Sequence, residues 1–317
     1  MTFHPTRKVI CGLAGSLLVI SLAACGSSGG GDGSGGTVGQ TTFSLEYPFQ
    51  VKIKDAAQKT AKKLGLKYVS TDPRGSVATE LAQVEDLITR NVDAIVMIPV
   101  DPKNSQAAMR KINDAKIPLI IVNQSLPADA AMKYDAYVGS DDTNAGEIQA
   151  DYVNKTLPDG GKLIYLVGVY GTSWTDLRKK GFMGNLHDNF KIVSEVQAKG
   201  DRAQGKNVME DLLRKYKSGE VEGVVAQNDE MAIGAAAAIK EAGRQDEFKI
   251  VVGVDGSEAG LNGVQDGALT ATVFQDAIGQ GTQAIETAAK ILKGETVAKQ
   301  NIIPFKLVTK ENLADFQ

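Results

Sequence analysis

Short, nearly continuous runs of Val, Ile and Leu alternate with stretches of helical period through most of this chain, and that alternation restricts the fold more than any other feature. Candidate strands are LKYVS (66–70), DAIVMIPV (93–100), IPLIIVN (117–123), KLIYLVGV (162–169), KIVSEVQA (191–198), VEGVVAQN (221–228), KIVVGVD (249–255) and LTATVFQ (269–275). Runs without a regular polar alternate suit parallel strands covered on both faces. Between them Val77, Leu81, Val84 and Ile88 recur at helical spacing, as do Ile148, Tyr152 and Val153, and then Val208, Leu212 and Leu213. Strand and helix in turn predict an α/β fold of doubly wound parallel sheets with right-handed crossovers. The β-α-β series occurs once before about residue 140 and once after it. Two similar lobes are therefore expected, and 317 residues suit two cores better than one.

Ligands of such sheets sit outside the carboxyl ends of the strands. The residues there are Ile98 and Pro99, Asn123 and Gln124, Gly171 to Asp176, Gly200 to Arg202, Asn228 and Asp229, Asp255, and Gln275. Most are neutral polar or acidic. A formal net charge of −3 likewise argues against a nucleic-acid binder, which needs a basic excess on one face.

The N-terminal segment stands apart. Arg7 and Lys8 precede VICGLAGSLLVISLAA (9–24), too short and too closely followed by glycine for a membrane span, so residues 1–24 read as a secretion signal. The run ends Leu22-Ala23-Ala24-Cys25, which resembles the lipobox of bacterial lipoproteins, where cleavage leaves the cysteine lipid-modified. Of the two cysteines, Cys11 lies in the removed part, so no disulfide is possible and Cys25 is the expected lipidation site. GSSGGGDGSGG (26–36) has no composition that packs, and residues 25–40 are read as a lipidated Gly/Ser tether to a membrane.

Several chemistries fail on residue content. His187 is the only histidine beyond the signal, and with one lipidated cysteine it builds neither a zinc site nor a Ser-His or Cys-His pair. Gly26 to Gly30 fit G-x-S-x-G but lie in the tether, not on a strand-to-helix turn. Gly279 to Ala284 fit G-x-G-x-x-A without a strand just before them, so close helix packing is the expectation. Asp176 and Asp255 are the one carboxylate pair to weigh for glycoside hydrolysis, although strand-end acids more often accept ligand hydroxyls. No metal, cofactor or catalytic activity is expected.

The stretches YPFQVKIKDAAQKTAKKLG (47–65), ELAQVEDLITRNVDAIVMIPVDP (80–102), AKIPLIIVN (115–123), AQNDEMAIGAAAAI (226–239), VVGVDG (251–256) and ATVFQ (271–275) closely resemble the periplasmic sugar-binding proteins of the ribose-binding class, the substrate-binding components of ABC importers. The resemblance implies two lobes joined by three hinge crossings near Ser140-Asp141, Gln275-Asp276 and Pro304-Phe305, with one lobe from 41–140 plus 276–304 and the other from 141–275 plus 305–317. It implies a cleft that closes on a sugar. Phe43, Tyr47, Phe49 and Gln50 fall in the family's contact loop, and Asn228, Asp255 and Gln275 match ligand-contacting positions. Asp229 is expected to cap the following helix.

The departures shape the expected ligand. An Asp-Arg pair of the family is Asn123-Gln124 here, an INP has lost its amide at Ile98-Pro99, an Arg after GTS is replaced by Asp176 beside Trp174, and a cleft Phe aligns with Gly200. Asn123, Gln124, Trp174, Asp176 and Arg202 complete the candidate site. Amides offer donor and acceptor together, as sugar hydroxyls require. With guanidinium groups exchanged for amides and a carboxylate, the expected ligand is a neutral sugar or polyol of roughly four to six carbons, with an amino sugar or other cationic small molecule as the alternative. The partners implied are an ABC permease and the membrane that holds the lipid anchor, and the family analogy implies a monomer. A signalling role beside a chemoreceptor uses the same pocket and stays open. The regulator cores that share this fold are disfavoured by the secretion signal where a helix-turn-helix would stand.

Overall fold

The computed structural model describes residues 35–128, 130 and 132–317. The signal segment, Cys25 and the tether as far as residue 34 lie outside the described residues. The first sheet holds β1 (Thr37–Thr41), β2 (Lys67–Thr71), β3 (Ala94–Met97), β4 (Leu119–Val122) and β5 (Ala136–Gly139); the second holds β6 (Gly161–Val167), β7 (Phe190–Gln197), β8 (Gly223–Ala226), β9 (Ile250–Asp255) and β10 (Ala271–Phe274). Two late strands return, β11 (Gln300–Ile302) to the first sheet and β12 (Lys306–Thr309) to the second. The orders are β11-β5-β4-β3-β1-β2 and β12-β10-β9-β8-β6-β7. All pairings are parallel except β10 with β12, which is antiparallel.

The helices are α1 (Pro48–Lys63), α2 (Val77–Thr89), α3 (Gln106–Asp114), α4 (Asp142–Thr156), α5 (Ser173–Asn185), α6 (Arg202–Lys215), α7 (Asp229–Glu241), α8 (Glu258–Asp266) and α9 (Ala277–Leu292). Strand β3 shows why the apolar runs lack alternation. Ala94 and Val96 join the core under α1 and α9, while Ile95 and Met97 join the core under α2 and α3. Both faces of the strand are dry.

Residues 37–40, expected in the tether, instead form most of β1, which lies between β2 and β3 at the sheet's centre. TVGQT carries one large apolar residue, so it gives no hydrophobic run. Gly39 packs closely under α2, where a Cβ would come within 3.1 Å of Leu87. The chain passes between the sheets after β5, after β10 and between β11 and β12. Helix α9 belongs to the first lobe and lies so close to α1 that a Cβ on Gly281 would meet the Ile53 carbonyl oxygen at 2.2 Å. The G-x-G-x-x-A spacing is thus a packing device, with the Gly279 N–H bonded to the Asp276 carboxylate at the helix start.

Candidate ligand-binding cleft

A cavity opens between the lobes. The first lobe contributes Phe43, Tyr47, Pro48, Phe49, Gln50 and Asn123; the second contributes Trp174, Arg178, Asn228, Glu230, Asp255, Ser257 and Gln275. Its walls are therefore aromatic on one side and mostly polar on the other.

Asn123 follows β4 in the left-handed region at φ 62°, where its N–H bonds Val138 and its own carbonyl accepts from the Tyr137 hydroxyl at 2.9 Å. Asparagine tolerates that conformation better than most residues. The turn sets its amide in a directed chain. Gln50 Nε2 donates to Asn123 Oδ1 at 3.2 Å, Asn123 Nδ2 donates to Gln280 Oε1 at 3.2 Å, and Gln280 Nε2 donates to Ser140 Oγ at 3.4 Å. Gln50 Oε1 is left buried without a partner among the described residues.

On the other side, Arg178 on α5 is 3% exposed yet fully organised. Its Nε donates to Asp142 at 2.9 Å, one terminal nitrogen to the Gln227 carbonyl at 2.6 Å, and the other to Gln275 Oε1 at 3.1 Å. Because Gln275 must present its oxygen to Arg178, its Nε2 is left as a buried donor without a partner. Asp255 stands 3.8 Å from Arg178 at φ 124°, a backbone conformation that costs a non-glycine residue of order 1–3 kcal/mol. Burial pushes the Asp255 carboxyl well above the usual range, Arg178 pulls it down, and Asp229, Glu230 and Asp142 push it up again.

Helix α7 starts one residue earlier than the capping expectation implied. Asn228 is its cap, accepting from the Met231 N–H at 3.0 Å while its Nδ2 donates to the Gly200 carbonyl at 2.9 Å. Asp229 instead points inward, where its carboxylate accepts from Ser257 N–H at 2.8 Å and Thr272 Oγ1 at 2.6 Å. A Cβ at Gly200 would lie 3.1 Å from Tyr47, so the Tyr47 ring from the opposite lobe fills the space at that glycine.

The periplasmic binding protein domain family matches residues 40–296. The chain belongs to the periplasmic binding proteins. This binding protein is 37% identical over 276 residues to the ribose import binding protein of Escherichia coli (strain K12), covering 87% of this chain and 91% of the other. It is 33% identical over 322 residues to a putative rhizopine-binding protein of Rhizobium meliloti, covering 98% and 99%. Among solved structures it is similar to an ABC transporter solute binding protein from Bacillus halodurans with bound myo-inositol, with a TM-score of 0.84 at 34% identity over 90% of this chain and 98% of that one. These likenesses place the binding protein in the ribose-binding class, a family of substrate-binding components rather than enzymes.

Three candidate residues lie away from the cavity of this binding protein. Gln124 is buried beside it with both ends of its amide engaged, Nε2 donating to the Pro99 carbonyl at 2.7 Å and Oε1 accepting from Ser173 N–H at 3.1 Å. Asn123 lines the cavity and Gln124 does not, so the two amides do not share the pocket. Asp176 is exposed and lines a separate groove with Ser125, Leu126 and Pro127, which also removes it as a carboxylate partner for Asp255. Arg202 lines an adjoining cavity and forms a two-pronged pair with Glu230, at 2.8 and 2.9 Å. The guanidinium that lines the cavity is that of Arg178, which the candidate set did not name. The signal was present in the helix, since Trp174 and Arg178 are i and i+4 on one face of α5 whereas Asp176 is two residues from each. Glu230 and Ser257 line the cavity too, and no spacing argument singled them out.

Proposed function

We propose that this binding protein captures a neutral sugar or polyol of roughly four to six carbons between its lobes and delivers it to an ABC permease, held at the membrane by a lipid on Cys25. The observation that carries the ligand class is the pair of orphaned amide atoms. Gln50 Oε1 is an acceptor from the first lobe and Gln275 Nε2 a donor from the second. A buried polar atom left unpaired costs about 1–3 kcal/mol, so a ligand that both donates and accepts relieves both lobes at once. Hydroxyl groups do this, and the rings of Phe43, Tyr47, Phe49 and Trp174 offer faces for the C–H surfaces between them. Every Arg178 nitrogen already holds a protein acceptor in Asp142, Gln227 or Gln275, which leaves no open fork for a sugar acid or phosphate.

The carboxyl groups of Asp255 and Glu230 in the cavity wall support a second reading, a ligand bearing a protonated amine against Asp255. Thermal shift and calorimetry on the full chain against pentoses, hexoses, linear polyols, inositols and their amino derivatives decide between the two. Ligand binding to the folded state raises the melting temperature by mass action. A response to neutral compounds supports the first reading, a response confined to amines the second, and silence to all of them removes both. Anchoring is tested separately by fractionation of Cys25→Ser, which should release the protein from membranes.

A further inference from the structure

We propose that Gln124 is a positioning residue, an interlobe clasp that caps helix α5 from the opposite lobe and so sets how long the cleft stays shut. This rests on the hinge-closure reading above. Thr172, the cap residue of α5, accepts no hydrogen bond from the helix's own free N–H groups; its hydroxyl is turned to the Val169 carbonyl at 2.7 Å and Thr175 Oγ1 at 2.9 Å. The first turn of a helix leaves N–H groups that need partners. That of Ser173 finds Gln124 Oε1, which comes from the end of β4 in the other lobe. The Gln124 side chain is held for the purpose by its donation to the Pro99 carbonyl, and it is 1% exposed. Ser125 N–H adds a bond to Ser173 Oγ at 3.1 Å, and Gly171 sits so near Asp101 that a Cβ there would meet the carboxylate at 2.9 Å.

The clasp bears on the ligand through α5. Trp174 is the next residue and Arg178 is one turn on, and both line the cavity. Opening the lobes strips the Ser173 N–H of its partner, whereas closing restores the cap and seats the two cleft residues. Only a carboxamide serves at residue 124, because the position must accept from Ser173 and donate to Pro99.

Two substitutions test this. Gln124→Met keeps the length of the side chain and removes both bonds. Ser173→Pro removes the N–H and the hydroxyl at the first helical position, where proline is well tolerated and the extended Thr172 (φ −86°, ψ 145°) suits the residue before it. In the full chain, each should raise the ligand release rate and Kd about tenfold, as loss of the interlobe bond between Ser173 and Gln124 with a buried partner left unpaired implies, and by the same factor for every ligand bound. Trp174, the only tryptophan, reports release by stopped-flow fluorescence. Altered ratios between ligands would mean that Gln124 touches the ligand, and an unchanged release rate would mean that no clasp acts; either result overturns the proposal. Amide hydrogen exchange at Ser173 without any ligand separates this from the choice of sugar. Gln124→Met should accelerate it about tenfold, and an unchanged rate overturns the clasp even if every sugar fails to bind.

Discussion

Trp174 and Arg178 stand one helical turn apart on α5, with the Arg178 guanidinium carbon 5.2 Å from the Trp174 ring centroid and 5.8 Å from that of Phe305. The cation is thus held against two rings while its nitrogens reach three different segments, which makes it a keystone of the second lobe as well as part of the cavity wall. Arg178→Met should cost about 3–5 kcal/mol of stability in urea unfolding, since it leaves Asp142 buried without its partner. Arg178→Lys should recover little of this, because a single ammonium does not reproduce the fork to Asp142, Gln227 and Gln275.

The orphaned amide atoms predict coupled losses. Gln50→Ala and Gln275→Ala should each weaken ligand binding about tenfold or more, and each should lower the melting temperature of the empty protein, the first by stripping Asn123 Oδ1 of its donor and the second by stripping Arg178 of an acceptor. If one ligand bridges the two, the double variant loses less than the sum, with a coupling of about 0.5–3 kcal/mol by calorimetry. Strict additivity would count against a bridging ligand.

How much of this was readable from residue order depends on which physical signal each element carries. Strands β3 and β4 announce themselves because both faces are buried and every side chain is apolar, and β9 does so through its run of Ile and Val ahead of Asp255. Strand β1 does not, because one face is held to a glycine by α2 and its polar residues are Gln40, Thr37 and Thr41. In the cleft, Asn228, Asp255 and Gln275 follow from their places at strand ends. Arg178 does not, since it lies a turn and a half into a helix and enters the cavity by helical period. Gln124 misleads for the opposite reason, sitting at a strand end but turned away from the ligand space.

Binding should tighten as pH rises. Burial raises the Asp255 carboxyl well above its usual range in the empty cleft, with Arg178 opposing and Asp229, Glu230 and Asp142 assisting. Ligand hydroxyls that donate to the carboxylate favour its ionised form, so capture favours release of its proton, and the gain levels off above the value of Asp255 in the empty cleft. Calorimetry in buffers of different ionisation enthalpy should register the release, and Asp255→Asn should abolish the slope.

Stability should move the other way. Glu80, buried with Oε1 accepting from Val100 N–H at 2.8 Å, is pushed by burial from 4.5 to about 7. Its protonated form suits the fold, so its contribution is complete below about 4.5 and fades as pH rises through about 7. Asp229, raised by burial to about 6, adds a similar slope at lower pH. Glu80→Gln should shrink the fall of the melting temperature between about pH 4.5 and 7 relative to the parent protein, and an identical fall in both would overturn this assignment.

Helix α9 and strand β11 impose an order on synthesis. The first lobe starts at β1, but α9 covers Ile53 and Ala57 on α1, and β11 pairs with β5 at Tyr137 to Gly139. When the second lobe's segment through β10 has been made, the first lobe still lacks a helix and an edge strand. Its apolar face is then open and its sheet ends in unpaired backbone, the condition in which chains meet chaperones or one another. The second lobe in turn waits for β12, so neither lobe is complete, and the nascent protein stays unfinished, until nearly its whole length exists.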